Sequence, residues 1–352
     1  MKISVAMATY NGERFLGEQL ESLAAQSRPP DELVVSDDCS SDRTQAVVEE
    51  FARSAPFRVV IFRNDKTLGY ADNFLRAAQL CKGDWISFCD QDDVWLPEKL
   101  ATIEKYTTLP NREVMLVAHS AAVVDENLQR TKIRLPDIAQ FRVYRGTELP
   151  AIWYVEGLAI SFRAELIRDL SPWGRGPDGG KPLLPLAHDV WICRLARIFG
   201  DIVLLPDSLC LYRRHSATAT AAFRGDLSTT GRVHRVMRTL SSSLESGARE
   251  YMNYSVSLEY QAKAFGRLAS LQSDTARRDR LLDAEEEFGK FARWMGKRAR
   301  LYGEAGISGR VRILRDLASD GNYRRLLSSR AFAKDLFIAM VGGQRFSSRE
   351  VT

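Results

Sequence analysis

The sequence predicts an α/β fold, an open, mostly parallel twisted sheet flanked by helices, with a helical appendage at its end. Three observations carry this expectation. Short apolar runs of strand type alternate with amphipathic helical runs over the first hundred residues. Each run ends in a polar cluster rather than in more hydrophobic chain. After about residue 225 the alternation stops, and long helical patterns rich in Arg and Leu replace it. Two parts are therefore expected: an α/β domain over 1–224 and a basic helical region over 225–352.

The elements follow in order. Residues 2–8 (KISVAMA) read as a buried strand, and Thr9-Tyr10-Asn11-Gly12 as the turn leaving it. A helix over 13–26 has Phe15, Leu16, Leu20 and Leu23 at helical spacing, and Arg28-Pro29-Pro30 ends it. A second strand at 32–36 runs into Asp37-Asp38-Cys39-Ser40-Ser41-Asp42, where Ser41 and Asp42 are fit to cap a helix reaching residue 51. A strand at 58–62, a loop with Gly69, a helix over 71–81 and a strand at 85–89 complete a βαβαβαβ run. Beyond it come a helix over 98–106, a strand at 114–118 and an irregular basic connection over 119–149. A strand over 154–162 would hold Glu156-Gly157 in its middle, and a short helix over 163–170 follows. Residues 173–184 (WGRGPDGGKPLL) are the most Gly/Pro-rich stretch and read as a flexible loop suited to a lid. His188-Asp189-Val190-Trp191 opens a helix to residue 199, and a last strand lies at 201–205. Helical patterns at 241–271, 277–302 and 330–340 fill the tail; in the second, Leu281, Phe288, Phe291, Met295 and Tyr302 share a face.

Ligands on parallel sheets bind beyond the carboxyl ends of the strands. Here those ends carry Thr9-Tyr10-Asn11, Asp37-Asp38 and Asp90-Gln91-Asp92. The last cluster, with Asp93, puts three carboxylates in four positions, and like charges so close call for a cation. Mg²⁺ or Mn²⁺ carrying phosphate oxygens fits best, because these ions prefer hard oxygen ligands and take few of them from protein. No GxGxxG follows the first strand and no GxxxxGK[ST] occurs, which disfavours a dinucleotide fold and a P-loop.

Composition narrows the class further. Hydrophobic residues make up 45% and charged residues 27%, as in ordinary globular proteins. The net charge of +5 is uneven: residues 225–352 hold 23 Lys+Arg against 15 Asp+Glu, so the remainder balances to −3. A basic tail of amphipathic helices points to peripheral association with an anionic membrane surface. It lacks the interleaved aromatics of single-strand binders, so no nucleic-acid partner is expected. Five scattered cysteines suit free thiols in a reducing compartment. With no signal peptide and no apolar run long enough to span a bilayer, the expected location is cytoplasmic, at most peripheral at the inner membrane face.

With those residues laid out, the chain resembles a family-two inverting glycosyltransferase of the GT-A fold, in the branch of bacterial rhamnosyltransferase-like enzymes. The resemblance rests on Ala8-Thr9-Tyr10-Asn11-Gly12, Asp37-Asp38-Cys39-Ser40-Ser41-Asp42, Leu68-Gly69-Tyr70 with Asn73-Phe74, and Cys89-Asp90-Gln91-Asp92-Asp93-Val94-Trp95. Phe162-Arg163, His188-Asp189-Val190-Trp191 and Tyr212-Arg213-Arg214-His215 extend it, so that it covers residues 1–220 in the family's order.

The resemblance implies a nucleotide-diphosphate sugar donor, dTDP- or UDP-linked, and a glycan or lipid-linked acceptor in cell-surface polysaccharide synthesis. It implies a nucleotide site of Ala8, Thr9, Tyr10, Asn11, Glu13, Asp38, Gly69, Asn73, Asp90 and Gln91. Tyr10 would lie against the base, and Asp38 would accept from its N3–H. Asp92 and His215 would hold the metal, and Asp189 would be the general base of one inverting displacement. Trp153, Glu156, Gly157, His188 and Trp191 would face the acceptor. Cys39 stands where the family usually has Gly, and Arg214 where it often has Gln. The Gln-x-x-Arg-Trp of processive members meets only Lys290-Phe291-Ala292-Arg293-Trp294, in a helix expected to be exposed, so a polymerising synthase is not expected. The competing expectation is a nucleotide-sugar-binding or scaffold protein that kept the fold and lost catalysis. Oligomeric state is left open.

Overall fold

The computed structural model describes residues 1–215, 231–304, 306–321, 323 and 329–341. The chain clusters into two compact units, and the expected division at 224–225 lies outside the described residues. One unit comprises Met1–Leu149, Trp153–Trp173 and Ala187–Ala221; the other comprises Pro150–Ile152, Gly174–Leu186 and Ala222–Thr352.

The first unit is built on one sheet. Strands β1 (Ile3–Thr9), β2 (Glu32–Asp37), β3 (Arg58–Arg63) and β4 (Trp85–Cys89) pair in parallel in the order β3-β2-β1-β4. Between them run α1 (Glu13–Ala24), α2 (Thr44–Ala52) and α3 (Tyr70–Leu80). Every residue of β1, β2 and β4 is buried, as apolar strands covered on both faces must be. Each buried Val, Ile or Leu of these strands contributes roughly 1.5–3 kcal/mol relative to exposure. That gain holds the backbone rigid up to the last residue before each loop.

Past β4 the sheet is mixed rather than parallel. Short β5 (Val94–Trp95), α4 (Lys99–Tyr106), long β6 (Val114–Val124), β7 (Arg130–Arg134) and β8 (Arg142–Arg145) come next in the chain. Then β9 (Ile160–Arg163) runs antiparallel between β4 and β6. A short α5 (Glu165–Arg168), then α6 (His188–Phe199) and β10 (Asp201–Arg213) close the unit. The connection expected to be irregular over 119–149 instead continues β6 and adds β7 and β8, which pair with β6 and β10. The expected strand over 154–162 is also corrected. Residues Gly157–Ala159 form a 3-10 turn, and only Ile160–Arg163 is strand, so Glu156 precedes a turn. Alternation of apolar side chains cannot distinguish a buried turn from a buried strand. The expected strand at 201–205 extends through β-bulges to Arg213, which carries the chain to His215.

The second unit is helical: α7 (Gly231–Ser270), α8 (Thr275–Gly303), α9 (Ile307–Ser319) and the helix Ser329–Val341. Leu281, Phe288, Phe291, Met295 and Tyr302 are all buried on one face of α8. Trp294, expected on an exposed helix, is buried, and its indole N–H donates to the carbonyl of Leu317 at 3.2 Å. Residues 174–186 are not a loose loop. Asp178 accepts from the backbone N–H groups of Gly180 and Lys181, each at 2.8 Å. Leu186 N–H donates to Gly176, Asp178 N–H to Leu184, and Ser257 Oγ of α7 to Pro177 O at 2.6 Å. The Gly/Pro content therefore serves tight turning against α7 rather than mobility. Among the described residues, no helix is long and apolar enough to cross a membrane.

Candidate active site

Strand register assembles the first part of the site. Thr9 pairs with Asp37 across β1 and β2, and Met7 with Cys89 across β1 and β4. The residues that leave these strands, Tyr10, Asp38 and Asp90, therefore emerge along one edge. Thr9 Oγ1 donates to Asp37 Oδ1 at 3.0 Å, and Ser40 N–H donates to Asp37 Oδ2, so Asp37 is spent on the turn. Asp38 is buried, and its carboxylate accepts from Asn64 Nδ2 at 2.8 Å, Leu68 N–H at 2.7 Å and Gly69 N–H at 2.9 Å. A carboxylate has about four lone-pair sites, which leaves room for one more donor. Asn73 Nδ2 donates to Ser36 O at 2.8 Å and Thr9 O at 3.3 Å, tying α3 to the strand ends.

Tyr10 is exposed, with its backbone bracketed by Gln91: Oε1 accepts from Tyr10 N–H at 2.9 Å, and Nε2 donates to Tyr10 O at 3.1 Å. A Cβ at Gly12 would stand 2.3 Å from Gln91 Oε1, so only glycine lets this bracket close. Asn11 sits at φ 45° and accepts from Ser41 N–H, while Glu13 accepts from Arg43 N–H. Ala8 is the buried penultimate residue of β1. Asn11, Glu13 and Gln91 all fix the shape of the edge.

The carboxylate cluster lies where β4 gives way to β5. Because β5 pairs antiparallel with the end of β10, Asp92 and Asp93 are brought beside Arg213. Arg213, fully buried, donates its N–H to Asp93 Oδ1 at 2.9 Å and its Nε–H to Asp92 O at 2.7 Å; it also reaches Glu126 O and the Glu18 carboxylate. Two residues on, His215 Nε2 stands 2.8 Å from Asp92 Oδ2, with its ring 4.8 Å from that of Phe15. Burial, then the charges of Asp92 and Asp189, push the Asp90 carboxyl up to about 7. Burial and both of those neighbours, Asp90 and Asp92, push Asp93 well above the usual carboxylate range. Lys99 of α4, fully buried, adds positive charge near this cluster.

Asp189 occupies the first turn of α6. Its Oδ2 accepts from Gly157 N–H at 3.1 Å and its Oδ1 from its neighbour Val190 N–H at 2.8 Å. These donors fix the orientation of the carboxylate at the amino end of the helix. His188 is buried, stacked 4.1 Å from Phe74 and edge-on to Phe88 at 4.7 Å. Burial, and secondarily Asp189, pushes the Glu156 carboxyl above its ordinary value. Of the residues expected to face an acceptor, Trp191 is fully buried in the core, which leaves its ring no surface for a ligand. The carbonyl of Trp153 accepts from Arg194 at 2.6 Å, and Gly157 spends its N–H on Asp189. The structure thus brings Asp90, Asp92, His215 and Asp189 toward one another, and it keeps Trp191 out.

The donor set fits a divalent cation in part. Two ligands on adjacent octahedral vertices at about 2.1 Å from Mg²⁺ lie roughly 3 Å apart, and Asp92 Oδ2 and His215 Nε2 are 2.8 Å apart. Among the described residues, no group of three or more His, Cys, Asp or Glu side chains forms a metal cage. Two protein ligands with the remainder from phosphate oxygens and water is the pattern Mg²⁺ commonly takes.

Two residues here escaped the sequence argument. Lys99 follows Pro97 by two positions and opens α4, and its helical position could have marked it as inward-facing. Arg213 was noted only as part of a run, and nothing local signals that β10 would bury it.

Residues 4–168 match the family model described as glycosyl transferase family 2. An uncharacterized glycosyltransferase of Nostoc sp. is 26% identical over 226 residues, 62% of this chain and 66% of that protein. The dTDP-rhamnosyl transferase RfbG of Shigella flexneri is 40% identical over 98 residues, 27% of this chain and 34% of that protein. The chain thus spans about two thirds or less of the curated relatives it matches. A crystal structure of S. aureus TarS in complex with UDP-GlcNAc superposes with a TM-score of 0.53 at 18% identity, covering 94% of this chain and 93% of that one. That likeness is one of fold.

Proposed function

We propose, from the glycosyl transferase family 2 segment at residues 4–168, that this chain moves one sugar from a nucleotide-diphosphate sugar to an acceptor hydroxyl by a single inverting displacement. The acceptor is a glycan or lipid-linked glycan of cell-surface polysaccharide synthesis. A dTDP-linked donor matches the named activity of the Shigella relative, and a UDP-linked donor matches the ligand of the S. aureus structure. The observation that carries the proposal is the placement of Asp189 in the first turn of α6, near enough to the carboxylates at the end of β4 for its charge to act on Asp90.

Each part has a task in this reading. The edge built by Thr9, Tyr10, Asn11, Glu13, Asp38, Gly69, Asn73 and Gln91 receives the nucleoside, with exposed Tyr10 against the base and the last lone pair of Asp38 for its N3–H. Asp92 and His215, with Asp90 beside them, would hold Mg²⁺ or Mn²⁺, which would offset charge on the leaving diphosphate. Asp189 takes the proton of the attacking hydroxyl. Glu156, whose carboxyl burial raises above its ordinary value, lies toward the acceptor. Lys290 stands where processive members have Gln, which supports transfer of one sugar per encounter. The basic helical region brings the enzyme to the inner face of the cell membrane; flotation with anionic but not neutral liposomes is the expected result, and equal negligible binding would end that idea.

The test is a panel of nucleotide sugars with Mn²⁺, read by thermal stabilisation and by transfer. A ligand bound only by the folded state raises its melting midpoint, so one donor class should raise it and also be turned over. Stabilisation without any transfer would identify a nucleotide-sugar-binding protein that has lost catalysis.

A further inference from the structure

A buried lysine in this unit has no role in the mechanism above. Lys99 is fully buried, a rare state for an ammonium group unless it is paired. Moving a charge out of water costs several kcal/mol even after relaxation, and an apolar residue of similar length would fill the space without that cost. The position of Lys99 supplies the reason for its charge. Its Nζ donates to the carbonyl of Leu158 at 2.8 Å and sits 3.7 Å above the ring of buried Trp95. Asp93 and Asp90 are among the groups whose charge stabilises it against desolvation.

Leu158 is the middle residue of the 3-10 turn Gly157–Ala159. The first residue of that turn presents its N–H to Asp189 Oδ2 at 3.1 Å. The turn has little freedom on its other side, because a Cβ on Gly157 would stand 2.6 Å from His188 Nε2. A continuous set of contacts therefore runs from Trp95 of β5 through Lys99 and the turn to Asp189. We infer that Lys99 is a positioning residue for Asp189: it anchors the turn whose Gly157 N–H orients the base, and it ties that turn to Trp95 of β5, the strand that follows the carboxylate stretch. The inference rests on the reading of Asp189 as base. It makes Lys99 the part that keeps base and carboxylate cluster in one fixed spacing, on which an in-line displacement depends.

The test is Lys99→Met in the full chain, which keeps length and removes the charge and the donor. Two measurements are made. The Gly157 amide resonance and its hydrogen exchange, read by NMR on labelled protein, report the turn directly. Turnover and donor affinity, read separately, report the chemistry. The expected result is a Gly157 amide that shifts and exchanges faster, kcat at least ~10-fold lower, and donor affinity within about threefold of the parent, since the loss falls on the transition state. Gly157→Ala should give the same split. The double variant should be no worse than the poorer single one, because both break one set of contacts. If Lys99→Met does not fold, Lys99→Gln, which retains a donor, receives the same measurements. A folded variant with kcat within about twofold of the parent and an unmoved Gly157 amide would overturn the inference. A Gly157 amide that moves while Asp189→Asn keeps full turnover would uphold the anchor and remove Asp189 as the base.

Discussion

Two acidic sites, one in each unit, differ in how their charge is met. In the helical unit, Asp335 is fully buried and accepts from Arg298 Nε at 2.6 Å and Nη2 at 3.1 Å, from Tyr302 Oη at 2.8 Å and from Tyr323 Oη at 2.6 Å. Burial alone would lower the Arg298 pKa, but Asp335 holds it above its ordinary value. In the α/β unit, Asp90, Asp92 and Asp93 crowd together with Asp189 nearby, and the cationic groups around them do not keep Asp90 ionised at low pH. The first arrangement is closed and ties three stretches of chain together. In the second the like charges act on one another and raise Asp90, a repulsion that a cation or a proton would relieve. That contrast distinguishes a scaffold acid from the crowded acids of a candidate site.

Two substitutions can break the contrast. Asp189→Asn should lower turnover ~10²–10⁴-fold, the usual share of general base catalysis, with the melting midpoint and donor affinity nearly unchanged. Near-normal turnover in that variant, with Glu156→Gln inactive, would exchange the two roles. Asp335→Asn should do the opposite. Removing one partner of a buried ion pair costs about 3–5 kcal/mol, so chemical denaturation should show a large loss of stability. If Asp335→Asn unfolds with the parent's denaturant midpoint, Asp335 is not the closed anchor that its contacts describe.

The same contrast explains what the sequence disclosed. The positions of Asp90, Asp92 and Asp189, two just past a strand and one at a helix start, were legible because an apolar run precedes the first two and a helical period follows the third. The parallel half of the sheet was legible for a similar reason: β1 to β4 are apolar runs between amphipathic helices. The rest depended on distant partners. The place of β9 between β4 and β6 follows from a turn at Gly157–Ala159 that no local pattern marks. Residues 174–186 look mobile by composition, yet Ser257 and Tyr260, more than seventy positions away, fix them. Trp191 lies near the expected base in sequence but on the inward face of α6, and adjacency in a motif says nothing about which face a residue takes. Helix α9 was not among the expected helices, although Leu314 and Leu317 are buried on one of its faces.

The smallest effects concern the crowded carboxylates themselves, where Asp92 and pH act on one equilibrium. Asp92→Asn keeps the shape of the side chain but loses its charge, and it should weaken Mn²⁺-dependent donor binding by about tenfold or more while metal-free binding stays as it was. Calorimetry giving equal donor affinity with and without metal, in the parent, would dismiss the cluster as a metal site. The pH dependence follows from the direction of the Asp90 shift. Burial and the neighbouring charges of Asp92 and Asp189 raise its carboxyl to about 7 in the fold, against 3.8 for the ordinary group. The folded state therefore binds this proton more tightly than the unfolded one. Stability from this source is fully present below about pH 4 and is lost as pH rises toward 7. A cation competes with that proton, so Mn²⁺ affinity should rise about tenfold between pH 6 and pH 8 for a competing group titrating near 7, then level off. The carboxylates titrate as a set, and the apparent value belongs to all of them. Removing the Asp92 charge takes away one of the influences that raise Asp90, so in Asp92→Asn the weaker residual metal binding should vary less with pH over the same range. A parent protein whose Mn²⁺ affinity is flat from pH 6 to pH 8 would mean that the crowded carboxylates are already neutralised without a cation, and the distinction from Asp335 would fail.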